Sequence, residues 1–282
     1  MVSIDSSKSP SLSESSRRSR PNVTIKSFNG PAISTLLLPA LFLVVLAVAW
    51  EVMARTLANP LVPHVAEIGA ELVRIFSDGS FFRQVQVTLG RVGLGFVFAF
   101  VLSLALGIAM ARNKYVQRFA EPAVLIGLTV PGLVWALLCV IWFGISLTTS
   151  TVAVALSLAP PLTLSVAQGL KTVSAELQEI TAVYQLSLRA RLRFLWLPTL
   201  YPFLLNGIRI GLSMAWKVIV LVEIFGLSSG VGYRLNVEYS SMNVAGVLAW
   251  TIGFALVMAI LEYGFIGGLE RRLTRWRRVA AV

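Results

Sequence analysis

Apolar positions fall along the chain in blocks rather than in the alternating or one-faced patterns of a soluble fold. Six blocks, near 32–55, 86–111, 120–143, 148–169, 199–226 and 244–268, each approach the roughly 20 mostly apolar residues needed to cross about 30 Å of hydrocarbon. They predict an all-α integral membrane protein with six transmembrane helices. Arg91 near the start of the second block and Pro160-Pro161 within the fourth predict kinks or tilted ends. Between the first two blocks, Val65 to Phe76 carries apolar residues at helical spacing, which predicts an interfacial helix.

Composition agrees with the pattern. Of 282 residues 56% are hydrophobic and 13% charged, against about 25% charged in an ordinary soluble domain. A net charge of +11 raises nucleic acid as a partner, but the basic residues cluster at the ends of apolar blocks and form no basic face, so they report topology instead. Residues 1–30 are serine-rich, carry Lys8, Arg17, Arg18, Arg20 and Lys26, and lack the apolar core of a signal peptide. They read as a disordered cytoplasmic tail, ahead of a permease domain at 31–270 and a basic tail at 271–282.

With the N-terminus inside, seventeen Lys and Arg fall on the cytoplasmic side. The opposite side receives Arg55 at its edge, Arg74, Arg83 and Arg234. That asymmetry predicts that both termini face the cytoplasm. It also places the connection 170–198 there, where Glu176 and Glu179 lead into the basic run Arg189, Arg191 and Arg193 before Leu197-Pro198 returns the chain to the bilayer.

Here the chain resembles the membrane subunit of a binding-protein-dependent ABC importer, in the sulfonate, nitrate and taurine permease family. That family has a cytoplasmic loop with an acidic residue, two small residues, a glycine four residues on, and a closing Leu-Pro. Glu179, Ala182 and Leu197-Pro198 fit. The likeness continues through Gly207 to Trp216, Val222-Glu223 to Gly226 and Ser229 to Tyr233, and more loosely through Thr88 to Gly95 and Val130 to Trp135, covering about residues 60–270. Two departures stand out. Ile180 and Thr181 occupy positions where alanine-like residues are usual, and Gln185 replaces the loop glycine. A glutamine lacks the freedom of glycine to take positive φ, so a straighter link, or a different ATPase groove, is expected.

The resemblance implies a type I importer core with a cytoplasmic coupling helix between the fourth and fifth spans, at about 174–190. Two ATP-binding subunits, a second copy of the permease and a solute-binding protein would be its partners, in a bacterial inner membrane. Glu176, Glu179, Thr181, Ala182, Gln185, Leu197 and Pro198 would then form the contact with the ATPase. ATP would be bound by that partner, since no glycine-rich phosphate loop occurs in the chain and Gly169-Leu170-Lys171-Thr172 has neither the spacing nor the order of one. The alternative for the charged connection is a solvated interfacial helix whose charges only set topology.

The fifth block holds Arg209, Lys217 and Glu223, each costing about 2.5–3.5 kcal/mol or more if it faced lipid. With Trp216 they are the candidates for the substrate path, and a cationic lining favours a small anion such as a sulfonate, nitrate or a carboxylate. The resemblance implies an apolar or small residue at position 217, which makes the lysine particular to this chain. The competing reading is internal neutralisation, with Lys217 paired to Glu223, Glu51 or Glu262. Gly207 and Gly211, spaced for close backbone approach, serve either a packing face within one subunit or a contact between copies; Gly264 and Gly268 repeat the spacing.

Catalysis and metal binding find no support. His64 is the single histidine, with no carboxylate cluster beside it, Cys139 is alone, and no serine sits in a nucleophile elbow. The chain therefore reads as a transport subunit and not an enzyme, with no metal or cofactor of its own. An ion-gradient-driven secondary transporter is the competing class, set back by the want of an internal repeat.

Overall fold

A computed structural model of the protein describes residues 32–57, 59–173 and 175–266. The tails expected at 1–30 and 271–282 lie outside these residues, as does Gly268. The chain divides into two units at Val48. The first contributes one described element, the beginning of α1 (Ala32–Leu57), whose side chains from Leu37 to Val48 are exposed and almost all apolar.

The second unit is helical throughout its described residues: α2 (Val65–Ser77), α3 (Ser80–Arg112), α4 (Lys114–Thr129), α5 (Gly132–Phe143), α6 (Leu147–Lys171), α7 (Ala175–Val183), α8 (Leu188–Arg191), α9 (Leu197–Gly226), α10 (Val231–Ser240) and α11 (Val244–Ile260). π-helical turns at Leu192–Trp196 and Leu261–Ile266 lead into α9 and extend α11. α2 forms where the apolar spacing predicts it. Its start is fixed by Glu51, whose carboxylate accepts from the Val65 amide at 3.1 Å and meets His64 Nδ1 at 3.2 Å and Arg55 Nε at 2.8 Å.

Three helices are long and apolar enough to cross a membrane, Leu37–Leu57, Ser80–Arg112 and Leu147–Lys171. Two bent pairs, α4 with α5 and the helix entering α9 with α10, bring the number to five if each is one span. The sixth expected span corresponds to α11, a shorter apolar helix. Among the described residues the six apolar blocks thus form three long helices, two bent pairs and one shorter helix.

The break falls elsewhere than expected. α6 runs unbroken through Pro160 and Pro161, while the block at 120–143 is split at Val130-Pro131 and bent by 101°. Proline at 131 supplies no amide to the ladder and pushes Val130 into extended backbone, with φ −73° and ψ 121°. Pro160 and Pro161 also remove two amides, but α6 is sheathed by α3, α4, α5 and α9. Hydroxyls flank the two prolines, Ser103 Oγ donating to the Ala159 carbonyl at 3.2 Å and Ser165 Oγ to the Pro161 carbonyl.

α6 is the central post. Gly95 and Gly107 of α3 lie so close to Val154 and Val166 of α6 that a Cβ at either would overlap them. Gly207 and Gly211 of α9 are buried against Leu162 of α6, and Gly211 also against Phe96. Their spacing therefore serves packing inside the subunit. A second apolar cluster under α10 and α11 gathers Ile75, Phe81, Val231, Trp250 and Phe254.

Candidate functional site

The charges of α9 go to different places. Glu223, three residues from its end, is fully buried and receives Arg91 Nη1 of α3 at 2.7 Å. Thr88, one turn before Arg91, places its hydroxyl 3.0 and 2.9 Å from the two carboxylate oxygens. That hydroxyl also accepts from the Val231 amide at 2.9 Å. The Gly232 amide donates to Glu223 Oε2 at 2.9 Å, and the Gly230 amide to Gln84 Oε1 at 2.7 Å. Arg91 reaches the Ser229 carbonyl and hydroxyl at 2.7 and 2.8 Å.

The local reason is the chain reversal between α9 and α10. Gly230 takes φ 105°, which only glycine adopts freely, and a Cβ there would fall on the Glu223 carboxylate. The amides at the start of α10 lack partners within the helix, so a carboxylate and two polar side chains complete them. Sequence reasoning singled out these stretches by resemblance but did not join them. Glu223 is correspondingly not a lining residue: its oxygens are spent on α3 and α10. The signal was available, because an intramembrane arginine needs an acid at its own depth, and Arg91 and Glu223 lie near the same ends of their spans.

Lys217, six residues earlier, has none of these partners, and no described carboxylate lies within ion-pairing distance. Of its three proposed acids, Glu223 is held by Arg91 and Glu51 by Arg55 and the start of α2. Its ammonium stands 5.7 Å from the Trp216 ring and lines a cavity of about 300 Å³ beneath the α4–α5 elbow. Arg209 is exposed about two turns away and does not line that cavity. Trp216 meets Phe254 in a T-shaped contact, ring centroids 5.8 Å apart, and packs half-buried against the core.

The charged connection folds as α7, a tight turn and α8. Glu176 and Glu179 are exposed, as are Ile180, Val183, Tyr184, Leu197 and Pro198, while Thr181 is buried. Ala182 lies in α7. Gln185 takes φ 47°, so the straighter link expected of a non-glycine residue is not formed. The Leu186 amide bonds the Thr181 carbonyl at 3.1 Å, the six-to-one closure of a Schellman motif with Gln185 in the position glycine prefers. Arg191 holds the turn by donating to the Leu186 carbonyl at 3.0 Å and the Thr181 carbonyl at 3.3 Å. Nearby, the Arg112 guanidinium at the end of α3 sits 5.1 Å from the Trp196 ring.

No described group of His, Cys, Asp or Glu is arranged to hold a metal ion. What the fold defines is a helical membrane subunit with a satisfied polar knot, an open cationic cavity and an exposed charged turn. Residues 99–275 match the model of the binding-protein-dependent transport system inner membrane component. The chain belongs to that family, as an ABC importer permease of its sulfonate, nitrate and taurine group, and is a multi-pass membrane transport component. It is 29% identical to the putative aliphatic sulfonates transport permease protein SsuC of Bacillus subtilis, covering 86% of this chain and 87% of that one. With the taurine transport system permease protein TauC of Escherichia coli it shares 30% identity, over 83% and 86%. A chain of the inward-facing MetNI methionine ABC transporter structure shares its fold at a TM-score of 0.59 and 20% identity, covering 71% of this chain and 96% of that one.

Proposed function

We propose that the protein forms the translocation path of an ATP-driven importer for a small anionic solute of the sulfonate, nitrate or taurine kind, delivered by a solute-binding protein. The family match over residues 99–275 carries the reading, and the names of SsuC and TauC support the substrate class. The energy comes from two ATP-binding subunits, each receiving the α7 turn of one of two permease copies. Exposed Ile180, Val183 and Tyr184 beside Glu176 and Glu179 support this, since a contiguous apolar patch rimmed by charge is what a partner covers. Movement of the docked turn passes through α8 and the π-helical turn into α9, rocking packed helices about the path. The chain itself supplies no ATP site, metal or catalytic group. Charge asymmetry supports cytoplasmic tails at 1–30 and 271–282 flanking the permease domain, in a bacterial inner membrane.

Co-purification with the ATP-binding subunits is the test. Val183→Asp is expected to abolish both co-purification and ATP-dependent uptake while the permease alone keeps its thermal stability. Solute uptake by the chain alone under an ion gradient, without ATP, would instead establish a secondary transporter.

A further inference from the structure

The cavity beneath the α4–α5 elbow is walled by Leu133, Met214, Val218 and Leu221, with Ser157 of α6 and Lys217 of α9 as its polar side chains. The Ser157 hydroxyl donates to the Ala153 carbonyl at 2.9 Å, so its proton is committed. Lys217 is then the side-chain donor left for a guest. The elbow adds a second source of positive potential, because α5 begins at Gly132 and both Gly132 and Leu133 line the cavity. In the first turn of α5 the Val134 amide is taken by the Pro131 carbonyl, leaving those two amides outside the helical ladder. Broken membrane helices in transporters commonly aim such half-helix starts at anionic groups. Gly132 allows α5 to stand this close, since a Cβ there would press on Val218 Cγ2 at 3.0 Å.

We infer that this cavity is a subsite for one small monoanion with an oxyanion head and a short apolar body, an alkanesulfonate or short-chain carboxylate. Lys217 and the start of α5 hold the head while the apolar walls take the alkyl part. About 300 Å³ is at the small end of ligand pockets. No carboxylate lines the cavity, so a guest that also carries an ammonium group, such as taurine, leaves that group unpaired and binds more weakly. The inference rests on the reading of the chain as an anion importer and names where the anion pauses.

The test uses the permease in complex with its ATP-binding subunits in lipid nanodiscs, carrying Leu221→Cys as a reporter, with buried Cys139 silent. Ethanesulfonate is expected to slow labelling of the reporter by a neutral thiol reagent, taurine to do so less, and tetramethylammonium not at all. Lys217→Met should raise the half-protecting concentration at least about tenfold, the loss that one charge-assisted hydrogen bond carries; Lys217→Arg should largely retain protection. Met214→Cys serves as reporter if Leu221→Cys lowers the yield of folded complex. Failure of ethanesulfonate to protect, or protection that survives Lys217→Met unchanged, overturns the inference. Failure of the complex to form at all would instead strike the importer reading.

Discussion

The two ends of α9 solve opposite problems. At its far end, Glu223 is fully buried and Arg91 mostly so, and the carboxylate is held by Arg91 and Thr88 of α3 and by the Gly232 amide at the start of α10. At its near end, the approach through α7 and α8 leaves Ile180, Val183 and Tyr184 uncovered beside two exposed acids, and holds Gln185 in a left-handed turn. A buried charge whose partners are all within the chain belongs to the fold; exposed apolar groups and a strained turn have no such explanation inside it. The difference teaches where to look for function along a helix bearing three charges: charge alone does not mark a transport site, and the partners decide.

The sharpest way to break this contrast is Glu223→Leu. It strands Arg91 with its two Ser229 contacts and no counter-charge, and removes the acceptor of the Gly232 amide. Breaking one side of a buried pair costs about 3–5 kcal/mol. Thermal unfolding in detergent should show a large fall in stability, and the double variant Arg91→Met, Glu223→Leu should recover much of it. A single variant as stable as the parent would mean that the knot does not hold α10 to α3.

Thr88→Val asks about the hydroxyl alone. The shape stays, but Glu223 loses a donor and the Val231 amide its acceptor, a loss of about 1–3 kcal/mol. Hydrogen exchange at Val231 should accelerate, while exchange at Leu186, near the other end, stays as it was. Coupled changes at both would show that the ends of α9 do not behave separately.

Much of this arrangement was legible. Apolar block length foretold the helices, and apolar spacing foretold α2 at Val65. Two things escaped, each for a physical reason. Proline was read by local context, yet whether it breaks a helix depends on the whole packing of that helix: α6, packed along its length against α3, α4, α5 and α9, runs on through Pro160-Pro161, whereas extended Val130 ahead of Pro131 turns the chain by 101°. Ion pairing is the second: the sequence offers Glu223, Glu51 and Glu262 as partners of Lys217, with nothing to align acids and bases of different helices, and Arg91 does not stand out as the partner of Glu223. Six residues apart at 100° each, Lys217 and Glu223 point about 120° from one another, and the partner of Glu223 comes from α3.

Gln185 gives the smallest effect and the most direct question about the near end. An L-residue in the left-handed region costs about 1–2 kcal/mol, and glycine would remove that strain while adding about 0.5–1 kcal/mol of unfolded-chain entropy. The net gain for Gln185→Gly is therefore on the order of 0.5–1 kcal/mol, confined to the turn. Slower hydrogen exchange at Leu186, whose amide closes the turn onto Thr181, should report it, with no change in exchange at Gly232. Gln185→Val should do the reverse, because a β-branched side chain tolerates positive φ least. If glycine speeds exchange instead, Arg191 is not holding a strained turn but relying on the glutamine side chain, and the near end of α9 is as self-sufficient as the far one.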